Sequence, residues 1–161
     1  MRLTVNPDPA APLQLVQRAV RSKQHEMYEA KRGRGRGRAH DQIWCLFDRD
    51  EHPNFDRAIA LAAEHGIKVA VSNPCIELWF LLHFESRTAF IDRDDVQRCS
   101  GRLLGCGKTL SQAAIDTLIA RYPEARARAQ RLDAKHADDG SPEGSNPSTG
   151  VWRLIEEIRS A

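Results

Sequence analysis

The apolar run Ile43-Trp44-Cys45-Leu46-Phe47 closes on the polar stretch Asp48-Arg49-Asp50-Glu51-His52-Pro53. A short continuous apolar run bounded by turn-forming residues reads as a buried strand, here over 42–47. Behind it Asn54 is placed to cap a helix, with Phe55, Ile59 and Ala62 or Ala63 at helical spacing and Gly66 ending it. Ile67-Lys68-Val69-Ala70-Val71 is then a β-rich run. Strand, helix and strand joined by short connections make a βαβ unit, which sets the two strands parallel.

The flanks read mostly as helix. Leu3-Thr4-Val5 fits a short strand, broken by Asn6-Pro7-Asp8-Pro9 ahead of a helix from about Ala10 to Ala30 that carries Leu13, Val16, Val20 and Met27. Alternating Arg and Gly from Arg32 to Arg38 cannot pack a core, so a flexible loop is expected over about 31–40. Ser72-Asn73-Pro74 turns the chain into an apolar helix over Cys75–Phe84. Helices are expected at roughly 92–103, 108–121 and 123–137, then a flexible polar loop over about 138–149. A last helix, about 150–160, shows Val151, Leu154, Ile155 and Ile158 on one face that should dock on the core. The pattern is that of an α/β protein with a small, mainly parallel sheet flanked by helices and a helical C-terminal half.

Length and composition fit a single domain over 1–161: 161 residues, 41% of them hydrophobic, bury one core. The net charge of +2 is unevenly spread. Residues 1–40 hold nine Lys/Arg against three Asp/Glu, residues 41–95 five against eleven, and residues 96–161 ten against eight. An acidic centre between basic flanks suits a cation site beside a surface that tolerates phosphates. Cys45, Cys75, Cys99 and Cys106 show no C-x-x-C pair and no zinc-ligand spacing, the usage of free thiols in a reducing compartment. With no signal h-region and no transmembrane-length apolar run, the expectation is a cytoplasmic protein that does not engage a membrane.

Three acids are candidates for chemistry. If the strand continues through them, Asp48 and Asp50 project to one face at the rim where open α/β sheets bind ligands. Hard oxygen donors on one side suit Mg²⁺ or Mn²⁺, and such an ion polarises a phosphodiester and readies a water or the leaving oxygen. An ordinary polar loop, with Asp capping the next helix, accounts for the same residues equally well. Glu77 interrupts an apolar run just after the second strand, where an ionised carboxylate needs a partner or a cation. It reads as an accessory site acid or as the exposed face of an amphipathic helix. His52 and His83 titrate near neutrality, but hydrogen-bonded structural roles suffice for both. Gly105-Cys106-Gly107-Lys108-Thr109 is not a P-loop, because Arg102 stands where the first glycine is required and no strand leads in.

Three segments together carry a resemblance. W-C-L-F-D-R-D-E-H-P-N-F-D-R-A-I-A-L-A from Trp44, G-I-K-V-A-V-S-N-P-C-I-E-L-W-F-L-L-H-F from Gly66 and N-P-S-T-G-V-W-R-L from Asn146 resemble the RloB family of bacterial proteins. The resemblance implies a Toprim-like Rossmannoid fold and a Mg²⁺-dependent nuclease associated with phage defence or restriction loci, with an ATPase partner encoded nearby. It also implies that Asp48 and Asp50 are the metal-binding D-x-D, with Glu77 as a further catalytic acid. Relatives carry an upstream strand and an acidic motif resembling E-G-x-x-T-E, absent here before Asp48, so the chain resembles an N-terminally truncated member with an incomplete metal site. A non-catalytic adaptor that binds an ATPase or nucleic acid is the alternative.

Overall fold

The computed structural model describes residues 3–33, 40, 42–49, 52–107 and 109–160. Among them are α1 (Pro12–Lys31), β1 (Trp44–Asp48), α2 (Phe55–Glu64), β2 (Lys68–Asn73), α3 (Glu77–Leu82), α4 (Arg93–Leu104), α5 (Gln112–Ala120), α6 (Tyr122–Asp138), β3 (Ser148–Thr149) and α7 (Val151–Ser160). The sheet order is β1-β2-β3. Lys68 N–H donates to Ile43 O at 2.9 Å and Arg49 N–H to Ser72 O at 2.8 Å. Pairing thus advances in the same sense along β1 and β2, which makes them parallel. β3 joins β2 antiparallel, with Ser72 opposite Thr149 and Asn73 opposite Ser148.

The described residues of Met1–Leu46 and Glu51–Ala70 form one compact unit, and those of Phe47–Asp50 and Val71–Ser160 a second. In the first, α1 packs on α2 and buries Val16, Val20, Ala58 and Ala62. Lys23 Nζ closes the end of α2, donating to His65 O at 2.7 Å and Gly66 O at 3.1 Å. A cation on those last carbonyls complements the negative end of the helix.

The second unit is built around α3. This short helix is nearly all apolar, and Leu78, Trp79 and Leu82 pack in one cluster with Val96 of α4, Tyr122, Ala125, Ala129 and Leu132 of α6, and Val151 of α7. Trp152 and Ile155 pack against the same cluster, so α7 docks on the core as its apolar face requires. α3 is shorter than the run over Cys75–Phe84. Bonds three residues apart replace helical ones at both ends, Leu78 N–H to Cys75 O at 3.0 Å and Phe84 N–H to Leu81 O at 2.9 Å.

Other expectations are corrected. Leu3–Val5 forms no strand; Leu3 and Val5 are exposed, and a three-residue run that buries so little cannot offset the entropy of ordering it. The helix expected from 108 begins only at Gln112, where Ser111 Oγ accepts Ala114 N–H at 3.2 Å and supplies the cap. The polar stretch over 138–149 ends in β3, and Ser148 and Thr149 are buried. Of the loop expected over 31–40, residues 34–39 lie outside the described residues, and Lys31 still belongs to α1.

Candidate functional site

The end of β1 and the start of α3 meet through one side chain. Asp48, the last residue of β1, accepts the Ile76 N–H on Oδ1 at 2.8 Å. Ile76 immediately precedes α3, so the bond satisfies a backbone donor that a helix start leaves without an intrahelical partner. The second Asp48 oxygen, Oδ2, faces the Arg93 guanidinium at 3.8 Å, with 26% of the Asp48 side chain and 45% of that of Arg93 exposed. Arg93 opens α4 and was not singled out by sequence reasoning. The available signal was a basic residue in a helix first turn otherwise occupied by Asp94 and Asp95.

Glu77 begins α3, one residue after the amide that Asp48 holds. Its Oε2 is buried and has no hydrogen-bond partner among the described residues. Beside it, burial pushes the Cys75 thiol up to about 12, with the Glu77 hydrogen bond and charge and the Asp48 charge adding to the rise. Both carboxylates therefore bear on one thiol, and the structure brings Asp48 and Glu77 to the same turn. Asp50, the other half of the D-x-D, lies outside the described residues, as does Lys108 of the glycine-rich turn.

The loop ahead of α7 is fastened to the strand ends. Gly144 O accepts Asn73 Nδ2 at 2.8 Å and Arg49 Nη1 at 3.3 Å. Gly144 has a φ of +77°, a region in which a side chain is strained. Asn146 grips Ile91 from both sides, accepting its N–H at 3.1 Å and donating to its carbonyl at 2.9 Å. Ser72 and Thr149 share a buried hydroxyl bond of 2.8 Å. These polar residues, in the S-N-P and N-P-S-T-G segments, are thus fasteners of the rim.

His83 has structural work. His83 is buried, donates from Nδ1 to Trp79 O at 2.8 Å and meets the Trp79 ring edge-on at 4.7 Å between centroids. The carbonyl of His52 accepts Phe55 N–H at 3.1 Å at the entrance to α2.

A hard cation can be tested against this donor set. Among the described residues no three His, Cys, Asp or Glu converge as a metal-binding group. Asp48 and the buried, unpartnered Glu77 Oε2 do suit an ion such as Mg²⁺, which uses one or two carboxylates and keeps several waters. An uncompensated buried carboxylate oxygen is costly, and a cation is the partner that removes that cost.

A family model described as RloB-like protein matches residues 2–158. No curated protein and no solved structure matches the chain. No helix among the described residues is long and apolar enough to cross a membrane.

Proposed function

Because the chain belongs to the RloB-like family, we propose that it is a Toprim-like, Mg²⁺- or Mn²⁺-dependent nuclease domain of a bacterial phage-defence or restriction-associated system. The observation that carries this reading is the Glu77 Oε2, buried without a partner on the turn that Asp48 caps. Asp48 and Glu77 would hold the ion, together with Asp50. When bound, the ion supplies Lewis-acid polarisation of a phosphodiester and a more acidic water.

The chain's own residues supply the frame. Asp48 fixes the start of α3, which ties its carboxylate to the turn that carries Glu77. The Asn73 and Arg49 bonds to Gly144 hold the adjacent loop against the strand ends. The test is nicking of plasmid DNA and of structured RNA with Mg²⁺ or Mn²⁺. Loss of cleavage is expected in an Asp48→Ala/Asp50→Ala double variant, and equal, robust cleavage by that variant overturns the assignment.

A second reading is favoured by the work Asp48 already does for Ile76 and Arg93. An acid so engaged fits a structural cap in a non-catalytic adaptor that binds an ATPase partner or nucleic acid. Co-purification with such an ATPase, with no cleavage by the chain or by the assembly, would select it.

A further inference from the structure

Over residues 121–131 the chain holds four arginines against a single acid, Glu124. Arg121, at the N-terminal boundary of α6, and Arg128 and Arg131 within it are spaced to share one helix face, beside the buried Ala125, Ala129 and Leu132. A charged run on a helix is ordinarily a solvated face. Here two of the guanidiniums are held in place: Arg121 lies over the Phe84 ring, 5.1 Å from its centroid, and Arg128 Nη1 donates to Leu82 O at 2.6 Å. Neither contact is with a carboxylate, so neither charge is neutralised. Among the described residues none of the three arginines has an ion pair, and neither Arg121 nor Arg131 has a side-chain hydrogen bond. Helix ends account for two of the charges, since Arg121 closes α5 and Arg128 sits on the last carbonyl of α3. They do not account for Arg131, exposed well inside α6.

The ten positions from Arg121 to Arg131 span about 15 Å of helix, and the row crosses the C-terminal end of α3. Glu77 opens the other end of α3, about 9 Å of helix away. We propose that Arg121, Arg128 and Arg131 form a phosphate-binding row that takes the sugar-phosphate backbone of nucleic acid at one end of α3, while the acid turn lies at the other. The assignment rests on nucleic acid being the substrate in the reading above, and it says where the flanking backbone runs. A guanidinium flattened on a ring keeps its N–H edge for an oxygen ligand, and its planar fork matches the paired oxygens of a phosphate. Three uncompensated charges along one face suit a polymer that carries a charge on every unit.

Fluorescence anisotropy of the full chain with labelled single-stranded DNA or RNA, in EDTA and over roughly 50–200 mM salt, reads the row without any metal. Arg121→Gln and Arg131→Gln should each lower the salt slope of binding by about 0.7, and the double variant by about twice that, on unrelated sequences alike. Arg121→Lys should keep the slope but lose affinity, because its ammonium keeps the charge without the planar fork. Arg102→Gln, which removes an exposed charge from the last turn of α4, should leave the slope unchanged. No binding by the wild type, an unmoved slope in the double variant or an equal fall in Arg102→Gln overturns the proposal. Displacement of the oligonucleotide by poly-glutamate at equal charge concentration overturns it as well, since the row would then serve an acidic protein segment. The two assignments fail separately. The expected slopes with no cleavage in Mn²⁺ would sink the nuclease reading and leave the row, and cleavage with an unmoved slope would do the reverse.

Discussion

The Ile76 N–H and Asp48 Oδ1 lie 2.8 Å apart, across 28 positions of sequence. That one bond ties the last residue of β1 to the entrance of α3, whose side chains form the centre of the larger core. A hydrogen bond to an ionised acceptor contributes more than a neutral one, and losing it leaves the amide unsatisfied. Asp48→Ala should therefore lower unfolding free energy by about 2 kcal/mol, whereas Asp48→Asn, which keeps the acceptor, should cost about 1 kcal/mol or less. Urea denaturation of the metal-free protein measures both. Equal losses would mean that the charge, and not the cap, is what the fold uses.

Thiol chemistry reports on the same turn. Burial pushes Cys45 up to about 11 and Cys75 up to about 12, while Cys99 and Cys106 are only half-buried. At pH 8 the Cys75 thiol therefore stays protonated, and the thiolate is the reactive form. A disulfide-exchange reagent should thus label Cys99 and Cys106 in the native protein and reach Cys45 and Cys75 only after denaturation, as peptide mass mapping would show. Labelling of native Cys75 at the rate of Cys106 would contradict the buried placement beside Glu77.

His83 makes stability depend on pH. Burial lowers its imidazole below the ordinary 6.5, and the Trp79 carbonyl only partly offsets this. In mildly acidic solution the unfolded chain binds a proton that the folded chain does not, and stability rises with pH wherever the unfolded state binds more protons. The contribution is complete above 6.5 and is lost as pH falls below that value, until the lower folded-state value is passed. The loss approaches about 1.4 kcal/mol per pH unit at most, the value of one proton. Denaturation between pH 7.5 and pH 5 should show a shallower decline in His83→Asn than in wild type, whatever the two absolute stabilities. Parallel declines would assign the pH dependence to other groups.

Much of the fold was legible because burial and periodicity agree in it. Ile43–Phe47 and Ile67–Val71 are apolar runs too short for helices, and they became the parallel pair β1 and β2, extended by Asp48 and by Ser72-Asn73. α1, α2, α4, α6 and α7 each carry a helical stripe and fall close to the expected ranges. β3 was illegible because two polar residues have no periodicity. It exists through pairing with β2 and the Ser72 to Thr149 hydroxyl bond, partners 77 positions apart. Leu3-Thr4-Val5 shows the converse, a β-like composition that pairs with no strand among the described residues. At the candidate site, Asp48 and Glu77 were legible as acids interrupting apolar sequence. Arg93 was not, since its approach to the Asp48 carboxylate arises only on folding.

Calorimetric titration of Mn²⁺ into the wild type, Glu77→Gln and Asp48→Asn tests the central claim most directly. The buried Glu77 Oε2 lacks a partner, so a neutral amide in its place should leave the metal-free fold at least as stable while weakening Mn²⁺ binding about tenfold or more. Asp48→Asn should weaken it to a similar degree. Mn²⁺ binding by both variants with wild-type affinity, or destabilisation of the metal-free protein by Glu77→Gln, would contradict a cation site at this turn.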